Sequence, residues 1–240
     1  MTKKQLLNTG VYFILATFIS LVFRMYTVHW LDFFRLPYGN YYGMSLLVGV
    51  GPIVAALLSK YIFKNRGAFL SFWGNSPRKS ALFLLLPIVT VGYLLLSNEE
   101  LQLTYGYTVQ LIGMWLLYIV GEEFGWRSYL QEVVLKGVND YQRALLIGIV
   151  WYLWHLSFIY IHYSPIKELV FIAVLLVGSF IALKVVQRTQ SFATAIALHF
   201  SFSVLTNIPL PSHATSIIIA MCAAWLLLYV FWNRGVLKKF

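Results

Sequence analysis

Long apolar runs, separated by short polar and basic loops, constrain this chain more than any other feature of its sequence. A helix needs about 20 mostly apolar residues to cross the hydrocarbon core of a bilayer. The pattern therefore predicts an all-α, polytopic membrane protein with about eight transmembrane helices. We place these predicted spans at 6–28, 42–63, 80–97, 108–135, 141–162, 167–186, 190–208 and 214–233.

The amino-acid composition supports lipid as the solvent for this chain. Its 240 residues are 60% hydrophobic and 11% charged, whereas soluble domains carry about 25% charged residues. One aqueous core could not hide that much apolar surface. We expect a single membrane domain over residues 1–240. The first run follows Lys3 and Lys4 but is too long for a signal peptide, so we interpret it as a retained span.

The basic residues predict the orientation of the chain in the membrane. The formal net charge is +10, and all but three of the 18 Lys and Arg residues fall on one side of the predicted spans; the exceptions are Arg24, Arg35 and Lys167. Cytoplasmic loops carry such an excess, so both termini are expected in the cytoplasm. The aromatic segment 29–41 then lies at the outer interface. Short basic clusters between apolar runs indicate lipid headgroups, and not nucleic acid, as the anionic partner.

The fourth predicted span carries ionisable side chains, which are expensive inside a membrane and usually functional. Glu123 and Arg127 are four residues apart, so on a helix they share a face and can pair. Glu122 points about 100° away and has no cation nearby in the sequence. Gly121 and Gly125 have the spacing that allows a neighbouring helix to approach closely.

Two later spans carry a histidine each. His155 follows Trp151 by one helical turn, and this tryptophan either walls a pocket or packs. His199 precedes Ser203 by four residues, and Asn207 continues the same stripe one turn further. Taken alone, each histidine fits a packing residue that hydrogen-bonds to a neighbouring helix as well as it fits a functional group.

Depth in the membrane links Glu122, His155 and His199. Each lies 11 to 14 residues from a basic residue at the cytoplasmic end of its span, which corresponds to roughly 17–21 Å along a helix. The three side chains are therefore expected at one level, in one site. A carboxylate and two imidazoles suit two chemistries: a Glu-activated water that attacks a peptide carbonyl, or a metal ion with an open coordination position.

These three clusters resemble the CAAX protease and bacteriocin-processing family of intramembrane endopeptidases, also called CPBP or Abi proteins. The family is marked by EExxxR, then an aromatic residue four positions before a histidine, then HxxxN or a variant. The matching stretches here begin at Glu122, Trp151 and His199, within residues 108–207. Gly51 and Pro52 in the second predicted span are also similar to family members.

The resemblance implies a bacterial membrane protein with eight helices around a cavity open to the cytoplasmic side, and a catalytic core at 108–207. It also implies roles: Glu122 activates water, His155 orients it, His199 belongs to the oxyanion site, and Glu123 and Arg127 support them. No cofactor is expected, although the same Glu122, His155 and His199 would be the ligands if zinc were present. The expected partners are a peptide or membrane-protein substrate and the bilayer.

One position departs from the family pattern, because Ser203 stands where Asn is frequent. A serine hydroxyl reaches less far than an asparagine amide as an oxyanion donor, and Asn207 one turn later is an alternative donor. Two other functions stay open. One is a non-catalytic scaffold that confers bacteriocin immunity or chaperones a peptide in the same cavity. The other is a small proton-coupled transporter, since intramembrane Glu and His also build proton relays. The sequence does not determine the oligomeric state.

Overall fold

A computed structural model describes residues 1–27, 48–157 and 164–232 of the chain. Across these ranges it contains eight α-helices and no β-strand. The helices are α1 (Lys3–Thr27), α2 (Val50–Ile62), α3 (Pro77–Leu96), α4 (Tyr105–Glu123), α5 (Asp140–His155), α6 (Pro165–Thr189), α7 (Phe192–Asn207) and α8 (Ala214–Val230). Directly after α4 the chain continues as a π-helix, Phe124–Val134.

Each of the eight predicted spans overlaps one of these helices, which confirms the all-α prediction. Three helical segments are long and apolar enough to cross a membrane: Lys3–Met25, Pro77–Leu96 and Pro165–Thr189. Helices α2, α7 and α8 are also apolar but shorter. The count of eight transmembrane helices stays a prediction. Several predicted positions lie outside the described residues: residue 28 of the first span, the interfacial segment 29–41, the start of the second span, the end of the fifth and residue 233.

Large apolar side chains face outward on the long helices. Ile14 and Phe18 on α1 are each 64% exposed, and Leu169 on α6 is 66% exposed. In water such rows of exposed aliphatic and aromatic groups would favour aggregation, whereas lipid tails solvate them. This outward-facing apolar surface is that of an integral membrane protein.

The chain forms two compact units. The first comprises Met1–Leu70 and Met114–Lys184, and the second comprises Ser71–Gly113 and the chain from Val185 onward. The predicted catalytic core at 108–207 is thus divided, with Glu122 and His155 in the first unit and His199 in the second.

Glycines allow very close helix packing in the first unit. A Cβ added at Gly121 would lie 2.0 Å from the carbonyl oxygen of Gly49, and one at Gly125 would lie 2.6 Å from Pro52 Cβ. Real Cβ atoms do not approach neighbours this closely, so both positions require glycine. The close approach predicted from the Gly121 and Gly125 spacing is confirmed, and the partner is the start of α2.

The second unit packs α3 against α7 and α8 around a buried aromatic cluster. The rings of Phe83 and Trp225 stack at 5.0 Å, and Trp225 Nε1 donates to the Phe83 carbonyl at 2.9 Å. At the cytoplasmic end predicted for α8, Arg188 donates to the Val230 carbonyl at 3.0 Å, and Lys79 donates to the carbonyl of Phe231 at 3.2 Å. Cations at a helix C-terminus satisfy its unpaired carbonyls and complement its dipole.

Candidate active site around Glu122

Glu122 occupies the last turn of α4 and is fully buried. Its carboxylate oxygen Oε2 accepts two hydrogen bonds from tryptophan indoles. Trp151 Nε1 on α5 donates at 2.6 Å, and Trp126 Nε1 in the π-helix donates at 3.3 Å. Hydrogen bonds to a charged acceptor are the strong ones, especially where water is excluded. The two indoles therefore fix one oxygen of a fully buried carboxylate.

The second oxygen, Oε1, is buried and accepts no regular hydrogen bond from any residue that the structure describes. The hydroxyl of Tyr118, one helical turn earlier, interacts electrostatically with the Glu122 carboxylate. It does not form a regular hydrogen bond with Oε1. Leaving a buried acceptor unpaired costs about 1–3 kcal/mol, and more when it is charged. An unsatisfied buried group in a native structure needs an explanation, and a catalytic role is one such explanation. Oε1 is thus the Glu122 oxygen that no described residue engages in a regular hydrogen bond.

Glu123 and Arg127 form the ion pair that their spacing predicts. Arg127 Nε lies 3.1 Å from Glu123 Oε2, and both side chains are about 1% exposed. The Arg127 guanidinium also lies over the Trp151 ring, 5.4 Å from its centroid. Glu123 therefore orients Arg127, and Arg127 packs on the indole that donates to Glu122. The pair is connected to the carboxylate through Trp151.

His155 is half-buried at the last residue of α5. Its Nδ1 lies 2.9 Å from the backbone carbonyl oxygen of Trp151. Because a carbonyl only accepts, the bond puts the ring proton of a neutral imidazole on Nδ1 and leaves Nε2 as the acceptor nitrogen. The rings of Trp154 and Phe171 pack edge-on against the imidazole at 5.1 and 5.3 Å, which fixes its orientation.

Trp151 joins the first two motifs. Its indole donates to Glu122, and its backbone carbonyl accepts from His155. The sequence left open whether this residue walls a pocket or packs, and the structure shows that it hydrogen-bonds directly to the carboxylate. Sequence reasoning missed Trp126 as a second donor. Its position four residues after Glu122 was the available signal, because residues at that spacing share a helix face.

Trp126 and Arg127 belong to the π-helix that begins directly after the Glu122–Glu123 pair. The described bond from Leu135 N to Leu130 O spans five residues, as in a π-helix. Such segments are rare and concentrate at functional sites. The wider turn changes which side chains share a face after Glu123, so ideal α-helical spacing describes this stretch only locally.

The remaining predicted site residues lie on α7 in the second unit. His199 and Ser203 are half-buried, and Asn207 is exposed. The Asn207 amide donates to the Ser203 carbonyl at 2.7 Å and to Thr206 Oγ1 at 3.3 Å. Both of its N–H groups therefore point back at its own helix. The convergence of His199 with Glu122 stays a prediction.

The described side chains do not form a cluster with the composition of a metal site. Within the described part of the chain, no three His, Cys, Asp or Glu side chains lie close enough together to hold a metal ion. Glu122 Oε2 faces two N–H donors, which are not metal ligands. Zinc at Glu122, His155 and His199 stays an alternative prediction.

The comparison with known families adds to this geometry. Residues 104–205 match the family model described as type II CAAX prenyl endopeptidase Rce1-like. This segment is therefore similar to the Rce1-like family. The Rce1-like segment covers fewer than half of the 240 residues and contains all three motifs, which confirms the resemblance read from Glu122, Trp151, His155 and His199. No curated protein matches the chain. The family indicates a CAAX-type protease with a peptide or protein substrate in a membrane setting.

Proposed function

We propose that this protein is an intramembrane endopeptidase that hydrolyses a peptide bond of a membrane-associated peptide or protein, with Glu122 as the general base. One observation carries the proposal: two indoles hold Oε2 of a fully buried carboxylate, and Oε1 is left unpaired. A base needs a fixed orientation and a lone pair that is not already engaged, and this arrangement supports both.

The proposed reaction proceeds by attack of water on the scissile carbonyl. Oε1 of Glu122 takes a proton from the water while the water oxygen bonds to the carbonyl carbon. His155 Nε2 accepts a hydrogen bond from the second O–H group of the water, which keeps its hydrogen, and so fixes the direction of attack. Collapse of the tetrahedral intermediate breaks the C–N bond, and the proton on Glu122 passes to the leaving amine.

We assign oxyanion stabilisation to α7. His199 would donate to the developing negative charge, with Ser203 as the second donor. Asn207 is the weaker candidate, because its amide already donates to its own helix. Removal of one preorganised donor to the oxyanion lowers kcat by a factor of about 10²–10³.

Glu123 and Arg127 would support the base without touching the substrate. Their ion pair holds the guanidinium over Trp151, and Trp151 in turn holds Glu122. A buried ion pair is weak evidence for stability by itself. Its connection to the indole gives it a positioning role.

We place the protein in a bacterial cell membrane, with both termini and the basic loops in the cytoplasm. The excess of Lys and Arg on one side of the helices supports this orientation. It would put the catalytic carboxylate part-way into the bilayer from the cytoplasmic side, where an anchored substrate can reach it.

Cleavage by the purified full-length chain tests the proposal. The probe is an internally quenched peptide that ends in a farnesylated Cys and three further residues, presented in phospholipid vesicles with and without a chelator. Glu122→Gln should abolish cleavage, whereas Glu132→Gln, a partly exposed carboxylate in the same π-helix, should retain it. Loss of wild-type activity with chelator, and its recovery with zinc, would replace the metal-free mechanism by the metal alternative.

A non-catalytic scaffold remains the second candidate because of Ser203. In that case peptide binding or bacteriocin protection would survive both Glu122→Gln and His155→Ala. A binding assay with the same farnesylated peptide, run beside the cleavage assay, separates the two functions.

A further inference from the structure

Helix α1 lies outside the Rce1-like segment, yet one of its faces contacts the π-helix along its length. Gln5 Nε2 donates to the Val134 carbonyl at 3.0 Å. Asn8 Oδ1 accepts from the Tyr129 hydroxyl at 2.8 Å. The three α1 positions that make this contact are 5, 8 and 12, spaced as one face of a helix, and their partners run in the opposite direction, from 134 to 126.

Tyr12 makes the contact nearest to the site. Its ring meets the Trp126 ring edge-on, with centroids 5.4 Å apart and planes at 84°. Its hydroxyl packs on Gly125, where an added Cβ would lie only 2.2 Å away. Tyr12 is fully buried, and its hydroxyl makes no hydrogen bond with any described residue. The residue therefore acts by shape against Trp126 and Gly125.

The Trp126 indole is held from two sides. Tyr12 packs against it from α1, and the Trp154 ring packs against it from α5 at 5.8 Å and 72°. Trp154 is itself connected to α1, because its Nε1 donates to Ser20 Oγ at 3.2 Å. The orientation of the Trp126 N–H, which donates to Glu122 Oε2, therefore depends on α1.

We infer that Tyr12 is a positioning residue for the Glu122 carboxylate, acting through the indole of Trp126. The inference rests on the proposed function of Glu122 as base. It assigns α1 a task in the reaction in addition to membrane insertion: α1 holds the π-helix, and through it one of the two donors, in the geometry that leaves Oε1 free.

Steady-state cleavage of the farnesylated peptide by the full-length chain tests this inference. Tyr12→Leu removes the edge contact and should lower kcat about fivefold, since loss of a well-placed hydrogen bond costs about 1 kcal/mol. KM should change less than about twofold, because Tyr12 does not touch the substrate. Tyr12→Phe keeps the aromatic ring, so its kcat should be close to that of the wild type. Phe18→Leu, which removes an exposed aromatic ring on the same helix, should behave as wild type.

A double-mutant cycle distinguishes positioning from a general structural role. If Tyr12 acts through Trp126, Tyr12→Leu should have no further effect on kcat in a Trp126→Phe background. Independent, multiplicative effects would overturn the inference, as would a change confined to KM. If Tyr12→Leu does not fold, Tyr12→Met, whose flexible side chain fills the space, enters the same cycle.

A measurement without substrate keeps this test separate from the proposed function. Dicyclohexylcarbodiimide modifies buried carboxyl groups in membranes, and mass spectrometry would follow its reaction with Glu122, with Glu122→Gln as the blank. Tyr12→Leu and Trp126→Phe should change the modification rate by the same factor, and the double variant by no more. If Glu122→Gln cleaves as well as wild type, the proposed function fails, and the labelling cycle still decides whether Tyr12 positions the carboxylate. Unequal, additive changes in labelling would contradict the inference.

Discussion

Trp151 Nε1 lies 2.6 Å from Glu122 Oε2, so the second sequence motif donates a hydrogen bond directly to the first. The same tryptophan accepts from His155 through its backbone carbonyl and packs beneath the Arg127 guanidinium. Trp151 therefore contacts all three motif residues: its side chain contacts Glu122 and Arg127, and its backbone carbonyl contacts His155. This explains in physical terms why an aromatic residue with an N–H stands one helical turn before the histidine.

Trp151→Phe should reduce activity more than Trp126→Phe. Both changes remove an indole donor, but the Trp151 bond is 2.6 Å long and the Trp126 bond is 3.3 Å. A hydrogen bond to a charged group contributes about 1.5–3 kcal/mol, so kcat should fall roughly ten- to a hundredfold for Trp151→Phe. Peptide-cleavage kinetics measure both effects, with Trp73→Phe, a partly exposed indole in the second unit, as control. Equal losses in both variants would contradict this ranking.

Gly121→Ala should destabilise the first unit. The new methyl group would overlap the Gly49 carbonyl at 2.0 Å, and backbone atoms cannot move aside cheaply. Overpacking of this kind costs about 1–3 kcal/mol or more. Gly113→Ala is the matched control on the same helix, because a Cβ there meets nothing within 4 Å. Thermal unfolding in detergent should show a lowered Tm for Gly121→Ala and an unchanged or raised Tm for Gly113→Ala.

Arg127→Met should destabilise the protein by about 3–5 kcal/mol, because it leaves the Glu123 carboxylate buried without its cation. The double variant Glu123→Gln with Arg127→Met should be more stable than Arg127→Met alone, since no unpaired charge remains. Denaturant unfolding of Arg127→Met, Glu123→Gln and the double variant measures the coupling free energy between the two residues. A double variant as unstable as the sum of the two single variants would show that the residues do not act as a pair.

Ser203 and Asn207 can be separated as oxyanion donors. Ser203→Asn should keep or raise kcat, because the amide reaches further, and Ser203→Ala should lower it by about tenfold or more. Asn207→Ala should have the smaller effect, because the amide is already hydrogen-bonded to its own helix. The reverse order in cleavage rates would make Asn207 the donor.

Local periodicity accounts for what the sequence could predict. The helices, the Glu123–Arg127 pair and the close approach at Gly121 and Gly125 follow from spacing along one chain segment. The contact between Trp151 and Glu122 joins residues 29 positions apart, so it depends on how α5 packs and on one indole rotamer. The sequence of residues 124–134 did not predict a π-helix.

The role of α1 was equally out of reach for sequence reasoning. Tyr12 looks like any aromatic residue in an apolar span, and only the packed structure places its ring against Trp126. The meeting of Glu122 with His199, predicted from depth in the membrane, stays a prediction for the experiments above.

The most direct test of the central claim is peptide-bond cleavage by purified Glu122→Gln protein beside wild type and Glu132→Gln. The substitution keeps the size of the side chain and its hydrogen bonds to the indoles through the amide oxygen, but removes the base. We expect wild type and Glu132→Gln to cleave a farnesylated peptide, and Glu122→Gln to be folded and inactive. Wild-type cleavage rates in folded Glu122→Gln protein would contradict the assignment of Glu122 as the general base.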